Sequence, residues 1–421
     1  MAVRRFPTKL AVCHIDVNYF YAQIEALFRL GLRGLPFVVG GDQESRKGIV
    51  LTKSPEAKAY GVKTGTSIRE AMQCCPHLKV VPANYPLYLY FSERLREIVL
   101  QFTDTIKPFG SDELWAQLYG DRETVMKTVE EIRQTIWREL CLTVSIGVGN
   151  CLPYAKIGSD LAPNNGVREL WYENREKFVY PLPASDLLYV GPATTAKFRK
   201  CGIMTIGDIV NCGPDLICQM LRNKTGAAIW TMAAGQDKTT VAHIESPDDV
   251  KSIGNSNTMP RDLTTEDDVC AAFLMLAESV AQRMRESGFE ATTLSISVRD
   301  NDLLSIGRQV KLQRPTNLVA EMVPAAMQLF KKHYSFDKNL PIRSIGIRGS
   351  DLVPDGSVYQ LTLFDDEEMR EKLKKVEWTI DYIRERFGQH SIQRALLMSK
   401  KLKSVNANND IGDAPTFYVY R

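Results

Sequence analysis

Three acidic side chains, far apart along the chain, carry the first chemical signal. Asp16 closes an apolar run at residues 10–17, and Asp112 and Glu113 sit in the polar turn Gly110-Ser-Asp-Glu113 between two further apolar runs. Carboxylates brought together repel unless they are protonated or bridged by cations, and hard oxygen ligands suit Mg²⁺ or Mn²⁺. Two such ions about 4 Å apart would clamp the attacking and leaving oxygens of an in-line phosphoryl displacement. Each acid also has a plain structural reading, with Asp112 starting a type I turn and Asp16 capping the helix that follows.

Convergence of these acids depends on the elements around them. Residues 10–17 read as a buried strand, 19–29 as a helix, and 36–40 and 48–53 as short strands. Ser54-Pro55 is an N-cap followed by proline at the first helical position, and Ser67-Ile-Arg-Glu70 is a capping box. A long helix (about 87–102), two strands around a turn (105–109 and 114–119), a helix (122–139) and a strand (142–149) follow. With the insertion from about 20 to 83 set aside, β-α-β-β-α-β remains, the split βαβ pattern. With strands ordered 4-1-3-2, the C-terminal end of the first strand lies beside the turn joining the second and third. All three carboxylates then meet at one end of one sheet.

Composition narrows the setting. The 421 residues carry 53 Lys+Arg against 50 Asp+Glu, a formal charge of +3, with 24% charged and 44% hydrophobic residues. This is ordinary globular make-up on a chain long enough for several domains. No apolar run approaches the roughly 18 residues of a membrane span, and the short, polar start does not read as a signal peptide. Nine cysteines without a C-x-x-C pair, and five scattered histidines, predict reduced thiols in a cytoplasm rather than a zinc site or a disulfide framework. Charge concentrates late: residues 369–403 hold ten Lys/Arg and four acids after the knot Asp365-Asp-Glu-Glu368. That segment reads either as a solvated helix with acids in its first turn or as a nucleic-acid contact.

His14-Ile-Asp-Val-Asn-Tyr-Phe-Tyr-Ala-Gln-Ile-Glu25 resembles the first catalytic motif of the Y-family translesion DNA polymerases. Gly110-Ser-Asp-Glu113 resembles their Ser-Ile-Asp-Glu motif, Pro55-Glu-Ala-Lys-Ala-Tyr-Gly-Val62 their fingers motif, and Ala155-Lys-Ile-Gly-Ser-Asp160 their palm helix. The resemblance runs from about residue 10 to 394 in the family's order. It is nearest the bacterial DNA polymerase IV type, with Asp-Val-Asn shared with the polymerase V catalytic-subunit branch.

The resemblance implies an α+β, multidomain, right-hand polymerase. A split-βαβ palm (1–19 and 84–175) would carry inserted fingers (20–83), and a helical thumb (176–240) would hold a helix-hairpin-helix. A linker (241–251) would lead to a βαββαβ little finger (252–350), and a C-terminal segment (351–421) would carry a basic helix. Asp186-Leu-Leu-Tyr-Val-Gly-Pro-Ala-Thr-Thr-Ala-Lys197 matches the hairpin, with Tyr189 in place of its first glycine. Hairpin amides bind DNA phosphates without reading sequence.

Residue roles carry over in the same way. Asp16 and Asp112 would ligate two Mg²⁺ ions (Mn²⁺ substituting), Glu113 the ion at the primer end, and Val17 would lend its carbonyl. Asn18, Tyr19, Phe20, Lys58 and Ile49 would line the deoxynucleoside triphosphate, with Leu51 beside Ile49 over the nascent base pair. Tyr21 would be the steric gate against a ribose 2′-hydroxyl. Gly191, Thr194, Lys197, Lys251, Arg299, Arg308, Lys311, Arg343 and Arg348, with Arg314, would contact primer–template DNA. Gln360, Leu361, Leu363 and Phe364 resemble the Gln-Leu-x-Leu-Phe peptide that docks on the bacterial sliding clamp, where alternate apolar side chains of an extended peptide fill a pocket. An edge strand burying those residues on its own domain is the plain alternative.

One part of the pattern has drifted. The family's phosphate-gripping tyrosine is Pro55 here, its basic partner is Lys58, and the late palm lysine falls at Pro163, leaving Lys156 or Arg168 as other bases. The expectation is a monomeric DNA-directed DNA polymerase without a proofreading exonuclease. The rivals are a clamp-tethered DNA binder with weakened catalysis and a two-metal nucleotidyl cyclase.

Overall fold

The computed structural model describes residues 9–41, 48–241, 250–337, 339–359 and 366–398. Its strands in chain order are β1 (Lys9–Val17), β2 (Phe37–Gly40), β3 (Val50–Lys53), β4 (Lys79–Pro82), β5 (Ile106–Pro108), β6 (Glu113–Gly120), β7 (Val144–Gly149), β8 (Val167–Leu170), β9 (Ser252–Leu263), β10 (Phe289–Asp300), β11 (Ser305–Thr316) and β12 (Ile342–Pro354). They form a five-stranded sheet β5-β6-β1-β7-β8, a four-stranded sheet β11-β10-β12-β9 and a three-stranded sheet β3-β2-β4.

The first sheet has the strand order expected from the sequence, with β8 added parallel to β7 at its edge. Side chains alternate along a strand. On β1, Ala11, Cys13, Ile15 and Val17 join the core that includes Leu95 and Ile98 of helix Tyr85–Leu100 and Val129 and Ile132 of helix Arg122–Leu140. The other face of β1 carries Val12, His14 and Asp16, and Val12 packs with Trp115, Leu152 and Ala155. Helix Leu152–Leu161 therefore covers the face on which Asp16 stands. Its approach is close because two glycines meet. A Cβ on Gly147 would lie 1.9 Å from the Ala155 carbonyl oxygen, and one on Gly158 2.9 Å from the Gly147 Cα.

The small sheet carries both expected caps. Ser54 Oγ accepts from the Ala57 amide at 3.2 Å, starting helix Pro55–Ala59. Ser67 and Glu70 form the reciprocal capping box of helix Ile68–Cys74. β4 completes this sheet and has no clear signature in its four residues, Lys-Val-Val-Pro. Farther on, helix Pro192–Lys200 packs through Phe198 onto Ile206, Ile209 and Ile217. The element before it is a single 3-10 turn, Ala184–Asp186, and Tyr189 is left-handed (φ 68°), a conformation that glycine adopts most readily.

Around the four-stranded sheet lie helices Glu266–Glu286 and Val319–His333, giving the second βαββαβ arrangement. The late basic helix, Glu367–Phe387, is not simply solvated, because Arg370, Glu377 and Arg384 on one face are buried. Arg370 is buried against Glu321 (3.1 Å) and the Pro315 carbonyl (2.7 Å). Arg384 and Arg394 reach Glu278 at 2.9 and 2.8 Å, and Asp381 receives Arg285 at 2.6 Å. Of the helix's own basic residues, Arg384 thus ties it to Glu266–Glu286 and Arg370 to Val319–His333 and β11, while Lys372, Lys375 and Arg386 are exposed.

Candidate active site

β1 and β6 run antiparallel with Asp16 directly opposite Glu113. Like charges in that relation destabilise a sheet, so the register itself calls for a cation. Helix Leu152–Leu161 supplies one. Lys156 Nζ donates to Glu113 Oε2 at 2.8 Å and to Asp16 Oδ2 at 3.1 Å, and lies 3.1 Å from Asp160 Oδ1. The fully buried His14 completes the group, with Nε2 3.4 Å from Glu113 Oε2 and Nδ1 2.8 Å from Ser159 Oγ. Ligand atoms of His14, Asp16 and Glu113 fall within 4.8 Å of one another.

Asp112 stands just outside that group. The backbone ties it in, since the Val17 amide donates to the Asp112 carbonyl at 2.9 Å. Its carboxylate turns toward the turn, with Oδ1 3.5 Å from Ser111 Oγ. Lys156 hydrogen-bonds Asp16 and Glu113 and acts on Asp112 only through its charge.

The electrostatics follow from burial and these neighbours. Burial, reinforced by the charges of Asp16 and Glu113, pushes the Asp112 carboxyl up to about 6. Burial also raises Asp16, against the pull of Lys156. For Glu113, burial is outweighed by the hydrogen bond from His14 and by Lys156, which hold it below the ordinary range. Burial works against the Lys156 ammonium, but Asp16 and Glu113 outweigh it and keep Lys156 protonated. A desolvated set of carboxylates on a rigid sheet end, served by one lysine, fits hard divalent cations.

The remaining motif residues surround this end. Asn18 donates to Ser145 Oγ at 2.8 Å and accepts from the Asn165 amide at 3.0 Å, so its side chain braces β7 and the following loop. Tyr19 is left-handed (φ 51°), and the Phe20 side chain is buried in the core. Tyr21 stacks on Tyr88 at 4.2 Å between ring centroids, and its hydroxyl lies 3.3 Å from Ser111 Oγ, next to Asp112. Tyr88 is itself held by its bond to Glu25 at 2.6 Å. In the small sheet, Ile49 is exposed, Leu51 half-buried, and exposed Lys58 lies 5.6 Å from the Tyr19 ring.

Comparison with known proteins decides the family. The sequence pattern of the impB/mucB/samB family matches residues 15–160, and that of its C-terminal domain matches residues 250–363. The DNA polymerase IV of Acetivibrio thermocellus is 38% identical, over 93% of this chain and 98% of its own. Those of Moorella thermoacetica and Bacillus velezensis are each 32% identical, over 91% and 95% of this chain and 95% and 96% of theirs. The chain belongs to the Y-family DNA polymerases, DNA polymerase IV type. A solved Y-family DNA polymerase chimera shares the fold, with a TM-score of 0.72 at 21% identity over 82% of this chain and 100% of that one.

In this Y-family chain the expected DNA contacts divide by position. Gly191 and Lys197 are exposed at the hairpin and along helix Pro192–Lys200, and Thr194 is half-buried. On the four-stranded sheet, Leu294, Ile296 and Val298 face the helices. Arg299 alternates with them, and Lys311 and Arg348 pair with the outward Thr293 and Ser295, so all three share the helix-free face. Arg308 pairs with Ile296 and belongs to the other side, exposed on the edge strand. Arg343 is half-buried at a β-bulge, and Lys251 is exposed just before β9. Arg314 is instead committed to Glu321 (2.8 Å) and Glu367 (2.7 Å). Gln360, Leu361, Leu363 and Phe364 lie outside the described residues.

Lys156 is the functional neighbour that motif reading underrated. Its signal was available, since Lys156, Ser159 and Asp160 share one helical motif. Lys53 was missed altogether. It bonds Thr64 Oγ1 at 2.9 Å, and burial, with a smaller contribution from the charge of Lys58, lowers its pKa.

Proposed function

We propose that this chain is a DNA-directed DNA polymerase performing low-fidelity translesion synthesis, adding deoxynucleotides to a primer 3′ end through two divalent metal ions. The observation that carries the reading is the directly opposed pair Asp16–Glu113 at one sheet end, with Asp112 beside it. Asp16, Asp112 and Glu113, with the Val17 carbonyl, are the residues that would hold two Mg²⁺ ions. Bound there, such ions supply charge stabilisation for in-line phosphoryl displacement.

The chain's own residues do the rest. Tyr21, fixed by Tyr88, walls the space next to Asp112 and excludes a ribose 2′-hydroxyl. Tyr19 and Phe20 present backbone amides toward the triphosphate, and Lys58 with neighbouring Lys53 supplies positive charge where Pro55 offers no hydroxyl. Ile49 and Leu51 roof the nascent pair. The hairpin at Gly191, Thr194 and Lys197 and the basic face of Lys251, Arg299, Lys311, Arg343 and Arg348 hold the DNA backbone, with Arg308 at the sheet edge. Gln360, Leu361, Leu363 and Phe364 tether the enzyme to a bacterial sliding clamp. No helix among the described residues is long and apolar enough to cross a membrane, and the setting is a monomer in the cytoplasm.

Primer extension on a primed template with Mg²⁺ or Mn²⁺ tests this reading. The parent extends, and Glu113→Ala loses incorporation while its primer–template affinity stays within a few fold, because DNA is held elsewhere. Equal extension by both proteins would overturn the metal assignment. DNA binding without extension by the parent would favour the clamp-tethered binder.

A further inference from the structure

Lys156 makes an unusual set of contacts for a lysine beside a metal site. Its ammonium is within 3.1 Å of three carboxylates on three elements: Asp16 on β1, Glu113 on β6, and Asp160 one turn along its own helix. Two of these, Asp16 and Glu113, are oxygens that a divalent ion at this sheet end would take. A hard ion at its bonding distance and an ammonium at hydrogen-bond distance need the same lone pairs. The third, Asp160, is half exposed and lies at the rim, outside the group formed by His14, Asp16 and Glu113.

We propose that Lys156 is a resident counter-cation of the carboxylate cluster, displaced onto Asp160 when a divalent ion takes Asp16 and Glu113, so that Lys156 and Asp160 together set metal affinity. The inference rests on the metal reading above. It is chemically economical. An ammonium between Asp16 and Glu113 lifts the like-charge penalty of their opposed register. A short swing about side-chain torsions returns it to a berth it already touches, without moving the helix that Gly147 and Gly158 lock to the sheet. Asp112, which Lys156 does not contact, stays available throughout.

The test is direct Mn²⁺ binding to the full chain, read by electron paramagnetic resonance of the free ion, without DNA or nucleotide. Lys156→Met removes the competitor and keeps the side-chain length, so binding tightens by about tenfold, the worth of one charge-assisted hydrogen bond. Asp160→Asn removes the second berth and weakens binding severalfold. In the Lys156→Met background the same Asp160 change has no effect, because Asp160 acts through the lysine. Thermal melting in chelator checks folding, and Asp160→Asn keeps the inference testable if Lys156→Met is unstable. Equal or weaker Mn²⁺ binding by Lys156→Met would overturn the inference, as would an undiminished Asp160 effect in the double variant. A parent whose Mn²⁺ binding does not depend on Glu113 would instead overturn the metal reading beneath it.

Discussion

Replacing Asp112 by asparagine should stabilise the metal-free protein while destroying its activity. The carboxyl is raised from 3.8 to about 6 by burial and by the charges of Asp16 and Glu113. A folded-state pKa above the unfolded one means that the native state binds the proton more tightly. The group's contribution is therefore fully favourable below the unfolded value and is lost as pH rises through about 6. Once both states are ionised the deficit is at most about 3 kcal/mol, at 1.36 kcal/mol per pKa unit, and partial exposure reduces it to roughly 1–3 kcal/mol. Asparagine keeps the shape and removes the ionisation.

Urea unfolding in chelator is the assay, run on parent and Asp112→Asn at pH 8 and pH 5. At pH 8 the variant should be more stable by about 1–3 kcal/mol. At pH 5 the parent's carboxyl is largely protonated when folded, and the gap should narrow by about 1 kcal/mol. Comparing the two proteins cancels the titrating groups remote from this cluster. A variant no more stable than the parent at pH 8, or a gap that does not change with pH, would refute the picture of Asp112 as a desolvated acid repelled by its neighbours.

Tyr21→Ala opens the space walled by the Tyr21–Tyr88 stack and should raise ribonucleotide incorporation about 10–100-fold in single-nucleotide extension; unchanged discrimination would make Tyr21 a packing residue only. Lys58→Ala should raise the apparent KM for deoxynucleotide about ten- to a hundredfold, the loss of a charge-assisted phosphate contact, with rescue at high nucleotide. An unchanged KM would move the triphosphate to other bases. Alanine at Gln360, Leu363 and Phe364 should leave distributive synthesis intact and abolish stimulation by a sliding clamp; equal stimulation returns the segment to an edge-strand role.

How much of this was legible in the sequence depends on how local each cause is. The order of the five-stranded sheet was readable because strand alternation and turn placement are local, and that order brings the end of β1 beside the turn of Asp112 and Glu113; the register that sets Asp16 against Glu113 was not. The caps at Ser54 and Ser67 were readable for the same reason. The reach of Lys156 was not, because it depends on how near a helix can come to a strand. That distance is fixed by the contact of Gly147 with Gly158, eleven residues apart and on different elements. The late basic helix misled for a related reason. Arg370, Arg384 and Arg394 look free in the sequence, whereas their partners Glu321, Glu278 and Glu377 come from both distant and nearby elements. Lys53 carries no motif, and only its proximity to Lys58 gives it meaning.

Charge balance separates two ionic clusters among the described residues. The seam under the C-terminal helix joins five arginines (285, 314, 370, 384 and 394) to six acids (278, 290, 321, 367, 377 and 381). It is close to neutral, and in a buried network near-neutrality is what lets Coulomb attraction offset desolvation. The sheet end at β1 and β6 gathers four acids, Asp16, Asp112, Glu113 and Asp160, around one lysine. His14 does not close the gap, because burial lowers its pKa and favours the neutral ring. Asp160 is half exposed, but folding gains nothing from the excess among the other three, and the pKa of Asp112 is raised by its burial and then by the charges of Asp16 and Glu113. In the metal reading proposed above, protonation of Asp112 relieves part of that excess in the free protein, and two divalent ions would supply the missing charge when bound.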